Sequence, residues 1–266
     1  MYKKGIDVSK WQGEIDWERV KASGVEFAML RAGYGQGKAD AQFERNASEC
    51  ARLGIPFGVY WFSYAYTPDM ARREARYCVE AAAKYDLSYP VAFDFEYDSV
   101  DYAEEQGVTV TKELASSLAR AFCSEVEALG RYPMVYANPN YLAAYFDADI
   151  PREYDIWLAK WPRDPDIAVE PAQSGGMWQY SSGGSVPGIA GRVDLNAAYK
   201  DYPALIAARE GAEDAGGAED ADGFEREARR AREWVMEQGI SDGTRPEAFV
   251  TRQELWVMLY RLEGYK

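Results

Sequence analysis

The stretch Val91-Ala92-Phe93-Asp94-Phe95-Glu96 has the pattern of a buried strand that ends in two carboxylates. Side chains alternate between the two faces of a strand, so Asp94 and Glu96 are predicted to share one face, with Cα atoms about 6.5 Å apart. Glycoside hydrolysis uses paired carboxyl groups about 5–10 Å apart. Such a triplet is also common on solvated strand faces, so alone it favours ordinary surface residues over catalysis.

Strand and helix patterns alternate on both sides of this stretch. Alternating β and α segments with apolar strands predict a parallel sheet with right-handed crossovers. We therefore predict an irregular (β/α) barrel with eight mainly parallel strands and about five helices, its active site at the C-terminal strand ends. The predicted strands are 6–8, 25–31, 57–62, 91–96, 134–137, 156–159, 177–180 and 193–196; helices are predicted at 16–23, 41–53, 67–85 and 111–130, and a loop at 97–108.

The composition changes sharply near residue 210. Residues 210–223 are acidic, small and without apolar anchors, which predicts a flexible linker. Residues 224–266 carry two amphipathic helix patterns, which are too short to bury much surface alone. The predicted organisation is a catalytic barrel over 1–209, the linker, and a small C-terminal helical unit for wall binding or dimerisation.

The chain contains no histidine. This excludes Ser-His-Asp hydrolases, Cys-His proteases and the usual zinc hydrolases, since each needs an imidazole as base or ligand. Acid–base chemistry must then rest on Asp and Glu, with Tyr and Lys in support. No metal or cofactor is expected.

Charge and hydropathy exclude two classes of binding partner. The net charge of −14 and the lack of clustered Lys and Arg argue against nucleic-acid binding. No apolar run reaches the length of a membrane helix, so membrane insertion is not expected. The N-terminus shows no signal-peptide pattern. We therefore expect a chain that is cytoplasmic until it is released or exported by another route. Cys50, Cys78 and Cys123 are predicted to be buried free thiols.

Four acids fall at predicted strand ends: Asp7, Asp94, Glu96 and Asp194. Taken singly, Asp7 reads as a cap or turn residue and Asp194 as a loop acid, because Asp is frequent in turns. Together at one end of a barrel they could surround a bound sugar.

Three motifs extend this pattern. The segments Gly5-Ile6-Asp7-Val8-Ser9-Lys10-Trp11-Gln12-Gly13, Phe93-Asp94-Phe95-Glu96, and Trp178-Gln179-Tyr180-Ser181-Ser182 with Val193-Asp194-Leu195-Asn196 resemble the motifs of family 25 glycoside hydrolases, the bacterial and phage lysozymes. The resemblance covers about residues 5–200. It implies an irregular β/α barrel, peptidoglycan as partner, and cleavage of the β-1,4 bond between N-acetylmuramic acid and N-acetylglucosamine at the bacterial cell wall, as in an endolysin.

The resemblance also implies roles for the acids. Glu96 falls on the general acid, Asp94 on its partner carboxylate, and Asp7 and Asp194 on acids that line the same cleft. Asp94 could activate water, attack directly, or orient the substrate N-acetyl group as the nucleophile, and the resemblance favours the last. Two rivals stay open: a non-catalytic carbohydrate-binding barrel and an N-acetylhexosaminidase or chitinase-like glycosidase.

Aromatic side chains offer broad apolar faces with a polar edge, which suits sugar binding. At least half of the candidates are expected to be core residues instead, because barrel interiors need large side chains. The candidate substrate-binding residues are Tyr60, Tyr64, Tyr136, Trp157, Lys160, Trp178 and Tyr180.

The C-terminal unit resembles the helical unit of surface-layer homology modules. The likeness rests on Trp234, Gly239-Ile240-Ser241-Asp242-Gly243 and Val250-Thr251-Arg252-Gln253-Glu254. Wall binding and homodimer formation through the apolar stripe are equally favoured, because a single unit could bury its stripe against a second copy.

Overall fold

A computed structural model describes residues 2–209 of the 266-residue chain. The chain divides into two units, Met1–Ala207 and Ala208–Lys266. The predicted linker at 210–223 and the predicted helical unit at 224–266 lie outside the described residues, so their boundaries and roles stay predictions.

Strands of the described part form one sheet that closes on itself. The strands are β1 (Lys3–Val8), β2 (Phe27–Tyr34), β3 (Lys38–Ala39), β4 (Phe57–Phe62), β5 (Val91–Asp94), β6 (Pro133–Ala137), β7 (Asp155–Ala159), β8 (Met177–Gly184) and β9 (Val193–Ala198). The hydrogen-bonded order is β1-β9-β8-β7-β6-β5-β4-β2, and β1 also pairs with β2. Only the two pairings of β9, with β1 and β8, are antiparallel in this eight-stranded barrel.

The predicted irregular barrel of eight mainly parallel strands is confirmed. The short β3 is an addition, paired with the end of β2 outside the closed ring. Seven α-helices are present within residues 2–209, rather than about five, and residues 202–209 are also helical. They are α1 (Trp17–Ala22), α2 (Phe43–Leu53), α3 (Pro68–Ala81), α4 (Tyr97–Glu105), α5 (Lys112–Ala128), α6 (Pro139–Tyr145) and α7 (Ile150–Glu153). None of the described helices is long and apolar enough to cross a membrane.

The predicted loop at 97–108 is wrong over most of its length, because α4 occupies Tyr97–Glu105. This helix buries Ser99, Val100 and Ala103, a narrow stripe at helical spacing. Its first turn is held by Ser99, whose hydroxyl accepts a hydrogen bond from the Glu96 amide at 3.0 Å. The acidic residues between the buried positions hide this stripe in the sequence.

Two apolar cores flank the barrel wall. The larger lies between the strands and the surrounding helices, and the smaller fills the barrel interior. Phe27, Met29, Tyr60, Trp157 and Met177 belong to the inner core. Gly5 admits the Phe27 ring, since a Cβ at Gly5 would lie 2.4 Å from that ring. Asp7, Asp94 and Asp194 lie at the end of the interior where the parallel strands have their C-termini.

Glu74 of α3 is a fully buried carboxylate outside the barrel interior. It accepts hydrogen bonds from the Ser63 hydroxyl, the Tyr64 amide and the Gln36 side chain. The carboxylate thus joins α3 to the segment after β4 and to the β2–β3 hairpin. Burial raises the pKa of Glu74 from 4.5 to about 7, although these three donors oppose the shift.

This shift predicts a pH-dependent stability. The folded state holds a proton on Glu74 that the unfolded chain releases above about pH 4.5, so this contribution is lost as pH rises toward 7. Glu74→Gln should make the free energy of unfolding fall less steeply between pH 5 and 7, by about 2–3 kcal/mol in total. Urea unfolding at each pH measures the difference.

Glu105→Gln is the matched control, because Glu105 is exposed on α4 and lies outside this network. An identical pH dependence for Glu74→Gln and the wild type would contradict the prediction. Gln is a fair replacement, since its amide can donate to the Ser63 oxygen while its carbonyl accepts from Tyr64 and Gln36.

Candidate active site

A cavity of about 290 Å³ opens at the C-terminal ends of the barrel strands. All four predicted acids line it, and all eight barrel strands, or the turns that follow them, contribute side chains to it. Its lining residues are Asp7, Val8, Ser9, Trp11, Gln12, Arg31, Tyr60, Phe62, Asp94, Glu96, Tyr136, Trp157, Trp161, Gln179, Ser182 and Asp194.

Asp94 and Glu96 lie at the end of β5. The strand ends at Asp94, two residues earlier than the predicted strand at 91–96, but Glu96 keeps an extended backbone with φ −128° and ψ −166°. The two side chains therefore still share one face, as the alternation predicts. Asp94 is 4% exposed, and its Oδ1 atom is buried without a hydrogen-bond partner among the described residues. Glu96 is half-buried.

The two carboxyl groups hydrogen-bond to each other. Such a contact requires a proton on one of them, since two carboxylates have no donor to offer. Burial, followed by the Glu96 charge, raises the pKa of Asp94 well above its usual range. Burial also raises the pKa of Glu96; the hydrogen bond with Asp94 opposes this shift, and the charges of Asp98 and Asp194 act in the same direction as burial. The pair is therefore built to hold a proton at a pH where free carboxyl groups have lost theirs.

Asp7 and Asp194 form a second pair across the barrel. They are opposite each other in the antiparallel register of β1 and β9. Asp7 Oδ1 accepts hydrogen bonds from Gln179 Nε2 at 2.9 Å and Asn196 Nδ2 at 2.8 Å. Burial, then the Asp194 charge, raises the pKa of Asp7 despite these donors, and burial raises the pKa of Asp194.

Gln179 connects Asp7 to the aromatic wall of the cavity. Its Oε1 atom accepts hydrogen bonds from the Tyr136 hydroxyl at 3.1 Å and Trp161 Nε1 at 3.0 Å. Asn196 makes an equivalent link, because its Oδ1 atom accepts from Trp157 Nε1 at 2.7 Å. Each amide is thus fixed in orientation by an aromatic donor and presents its own N–H to the same Asp7 oxygen.

Three of the predicted substrate-binding residues, Tyr60, Tyr136 and Trp157, line the cavity. Trp157 packs edge-to-face between the two tyrosines, with ring centroids 5.8 Å from Tyr60 and 4.9 Å from Tyr136. All three are nearly buried, so they form the floor of the cavity rather than an exposed platform.

The structure does not bring Tyr64, Lys160, Trp178 or Tyr180 to this cavity, within the residues that it describes. Trp178 and Tyr180 lie on the face of β8 that packs against the outer core, because Gln179 between them faces inward. Tyr64 instead packs on Tyr102 of α4, with ring centroids 5.0 Å apart. Lys160 is exposed, and its carbonyl accepts from Trp178 Nε1.

Several residues that line the cavity or bind its acids were missed by sequence reasoning. Gln179 and Asn196 stand inside the quoted motifs but carry no charge, so only the parity of β8 and β9 identifies them. Trp11 and Trp161 follow β1 and β7 and are 75% and 55% exposed. Their signal was a tryptophan directly after a strand end. Arg31 is a cation inside an otherwise acidic cavity, and its Nε donates to Asp40 Oδ2 at 2.8 Å.

This arrangement can transfer a proton and stabilise a developing cation. A protonated carboxyl beside a bound glycosidic oxygen can act as an acid, while neighbouring carboxylates favour positive charge on the sugar. Among residues 2–209, no group of three or more Asp, Glu, Cys or His side chains has the geometry to hold a metal ion.

Comparison with known proteins identifies the family of this chain. Residues 6–189 match the glycosyl hydrolases family 25. The chain belongs to glycosyl hydrolase family 25. This confirms the resemblance on which the sequence prediction rests, and with it the predicted enzyme class, a glycoside hydrolase of the lysozyme type.

Several family 25 relatives are similar over the barrel. YegX from Escherichia coli K12 is 30% identical over 203 residues, covering 72% of this chain and 68% of YegX. Lysozyme M1 from Streptomyces globisporus is 24% identical, covering 73% and 66%. The autolysin LytC from Streptococcus pneumoniae matches with a TM-score of 0.64 and 30% identity, covering 74% of this chain and 47% of LytC. LytC has also been solved with a synthetic peptidoglycan ligand. This chain spans about half of that autolysin.

The hydrogen bonds of Asn196 generate a prediction for this family 25 site. Asn196→Ala removes a donor that holds down the pKa of Asp7, so the pKa of Asp7 should rise further. The acidic limb of kcat/KM should move to higher pH, and kcat should fall about tenfold or more. Loss of the Trp157 partner should also cost about 1–3 kcal/mol of folding free energy.

A pH–rate profile on soluble glycan, with urea unfolding alongside, tests this expectation. Asn140→Ala, an exposed position on α6, is the control for the loss of an asparagine. A loss of activity without any movement of the acidic limb would show that Asn196 acts only on stability.

Proposed function

We propose that this family 25 enzyme hydrolyses bacterial peptidoglycan at the β-1,4 bond between N-acetylmuramic acid and N-acetylglucosamine. The observation that carries the proposal is the pair of hydrogen-bonded carboxyl groups, Asp94 and Glu96, at the open end of an aromatic-floored cavity. LytC, which has been solved with a synthetic peptidoglycan ligand, supports peptidoglycan as the substrate class.

Glu96 is the general acid in this proposal. It is half-buried and is the more exposed member of its pair, so its proton can reach a glycosidic oxygen that enters the cavity. Asp94, its partner in the pair, is nearly buried. The raised pKa of Glu96 keeps it protonated at higher pH than a free glutamate, as an acid catalyst requires.

Asp94 acts through the substrate in this proposal. Its buried Oδ1 atom lacks a hydrogen-bond donor among the described residues, so it can accept the N–H of an N-acetyl group. That contact would orient the acetamido oxygen toward the anomeric carbon, with Glu96 protonating the leaving oxygen. Asp7 and Asp194, on the opposite wall, would stabilise the positive charge that develops on the sugar ring.

The site of action follows from the substrate. The enzyme acts at the bacterial cell wall, and we propose an endolysin-like route from the cytoplasm. The predicted contribution of residues 224–266, by wall binding or dimerisation, falls outside the described residues.

Digestion of purified cell walls tests the reaction and its acid. The wild type should release fragments with muramic acid at the reducing end, identified by mass spectrometry after borohydride reduction. Glu96→Gln keeps the size of the side chain but cannot donate the acidic proton, so the rate should fall by at least about 10³-fold.

Glu105→Gln, an exposed glutamate on the same segment, is the matched control and should digest walls at the wild-type rate. N-acetylglucosamine at the reducing ends would overturn the bond assignment in favour of a glucosaminidase. An undiminished rate for Glu96→Gln would overturn its role as the acid.

The substrate-assisted role of Asp94 predicts a dependence on the N-acetyl group. Glycan strands whose muramic acid has lost its acetyl group should be cleaved at least about 100-fold more slowly, while Asp94→Asn should lower kcat on acetylated strands by a similar factor. The anomeric configuration of the first product, followed by NMR, should be retained. Inversion would identify Asp94 as a base that activates water, whereas equal rates on both strands with retention would identify it as the nucleophile.

A further inference from the structure

Three cationic side chains converge on the ring of Tyr34 at the end of β2. Lys10 Nζ lies 5.6 Å, Lys38 Nζ 5.2 Å and Arg31 Cζ 5.7 Å from the ring centroid. Lys10 Nζ is also 4.8 Å from the Trp11 ring. The Tyr34 hydroxyl interacts with Lys38, and together the three cations lower the pKa of Tyr34.

The charge of this cluster is only partly balanced. Asp40 is buried and pairs with Arg31, whose Nη2 atom lies 2.7 Å from Asp40 Oδ2. Lys10 and Lys38 are exposed, and neither forms an ion pair within residues 2–209. The cluster therefore carries an excess of two positive charges in a chain whose net charge is −14.

Three other lysines of the described part form ion pairs. Lys3, Lys84 and Lys200 pair with Glu26, Glu44 and Asp155. Two unpaired ammonium groups beside one ring are thus available to a ligand, and aromatic faces stabilise them there without neutralising them.

The cluster adjoins the catalytic cavity. Arg31 and Trp11 line that cavity, whereas Lys10 and Lys38 stand beyond them on the turn after β1 and on β3. An anion could not enter among the four acids without strong repulsion, but at this rim it would meet two cations.

We propose that Lys10 and Lys38 bind a carboxylate of the peptide attached to the glycan, and so hold a peptide-bearing sugar next to the cavity. The inference rests on the proposed peptidoglycan hydrolase. The glycan backbone offers few anionic groups outside its muramic acid substituents, and the attached peptide carries free carboxylates. Two separate ammonium groups suit several carboxylates on a flexible chain, since lysine recognises anions as a point charge.

The test compares two soluble substrates, both stripped of wall phosphate polymers: glycan strands that keep their peptides and strands from which an amidase has removed them. The measured quantity is the ratio of kcat/KM on the first to kcat/KM on the second. Lys10→Gln/Lys38→Gln should lower this ratio about tenfold, through KM, and the loss should shrink in high salt.

Lys4→Gln is the matched control. Lys4 is exposed near the start of β1, at the opposite end of the barrel, and its loss changes the net charge by one without touching the rim. It should leave the ratio at the wild-type value. A ratio that is equal in the double variant and the wild type would overturn the proposal, as would an equal loss in Lys4→Gln.

Two further arms separate the alternatives. If only strands that retain phosphate polymers respond to the double variant, the ligand is a wall phosphate and the peptide assignment is wrong. Binding of both strands, followed by tryptophan fluorescence, gives a ratio of Kd values without any cleavage. Should the wild type release no muramic acid ends, the proposed function fails, while the Kd ratio still decides whether the lysines recognise the peptide.

Discussion

The antiparallel register of β1 and β9 sets both the closure of the barrel and the composition of the site. It places Asp7 opposite Asp194, and it brings Asn196 onto the same inward face, where its amide reaches Asp7 Oδ1 at 2.8 Å. A shift of one residue would turn Asp194 and Asn196 outward together, because strand side chains alternate. The strand that closes the sheet is therefore also the strand that supplies half of the far wall.

Burying these acids is unfavourable because charged carboxylates lose their hydration. Two features of the structure reduce this cost. Carboxyl groups meet in pairs, Asp94 with Glu96 and Asp7 with Asp194, so that a shared proton replaces a second negative charge. Arg31 adds a cation on the same wall, and its charge opposes the rise in the pKa of Asp94. Since the chain has no histidine, these carboxyl groups are the main candidates for proton transfer at the site.

Much of the fold could be predicted because apolar strands, glycine stops and Asp or Thr caps repeat in order. Thr67 and Thr111 do cap α3 and α5, as their positions before those helices suggest. The failures have physical causes. The buried stripe of α4 is only Ser99, Val100 and Ala103, too small to be seen among acidic neighbours. The antiparallel direction of β9 depends on pairing with β1 and β8, and no local sequence pattern encodes it.

The residues of the site could be predicted from the sequence only in part. Its acids were found because charge at a strand end is rare enough to notice, whereas Gln179 was passed over for its neighbours Trp178 and Tyr180. Which of these residues reach the cavity depends on which face of β8 points inward. Gln179 faces inward, where its amide has both a donor and an acceptor and so joins Asp7 to Tyr136 and Trp161. An indole has only a donor and cannot make this link. The tryptophans at this site differ in burial according to their position along the strands. Trp157 is buried and supports Asn196, while Trp11 and Trp161, beyond the strand ends, remain exposed at the rim. A sugar that stacks on Trp161 would thereby touch a ring that donates a hydrogen bond to Gln179, the amide that in turn donates to Asp7.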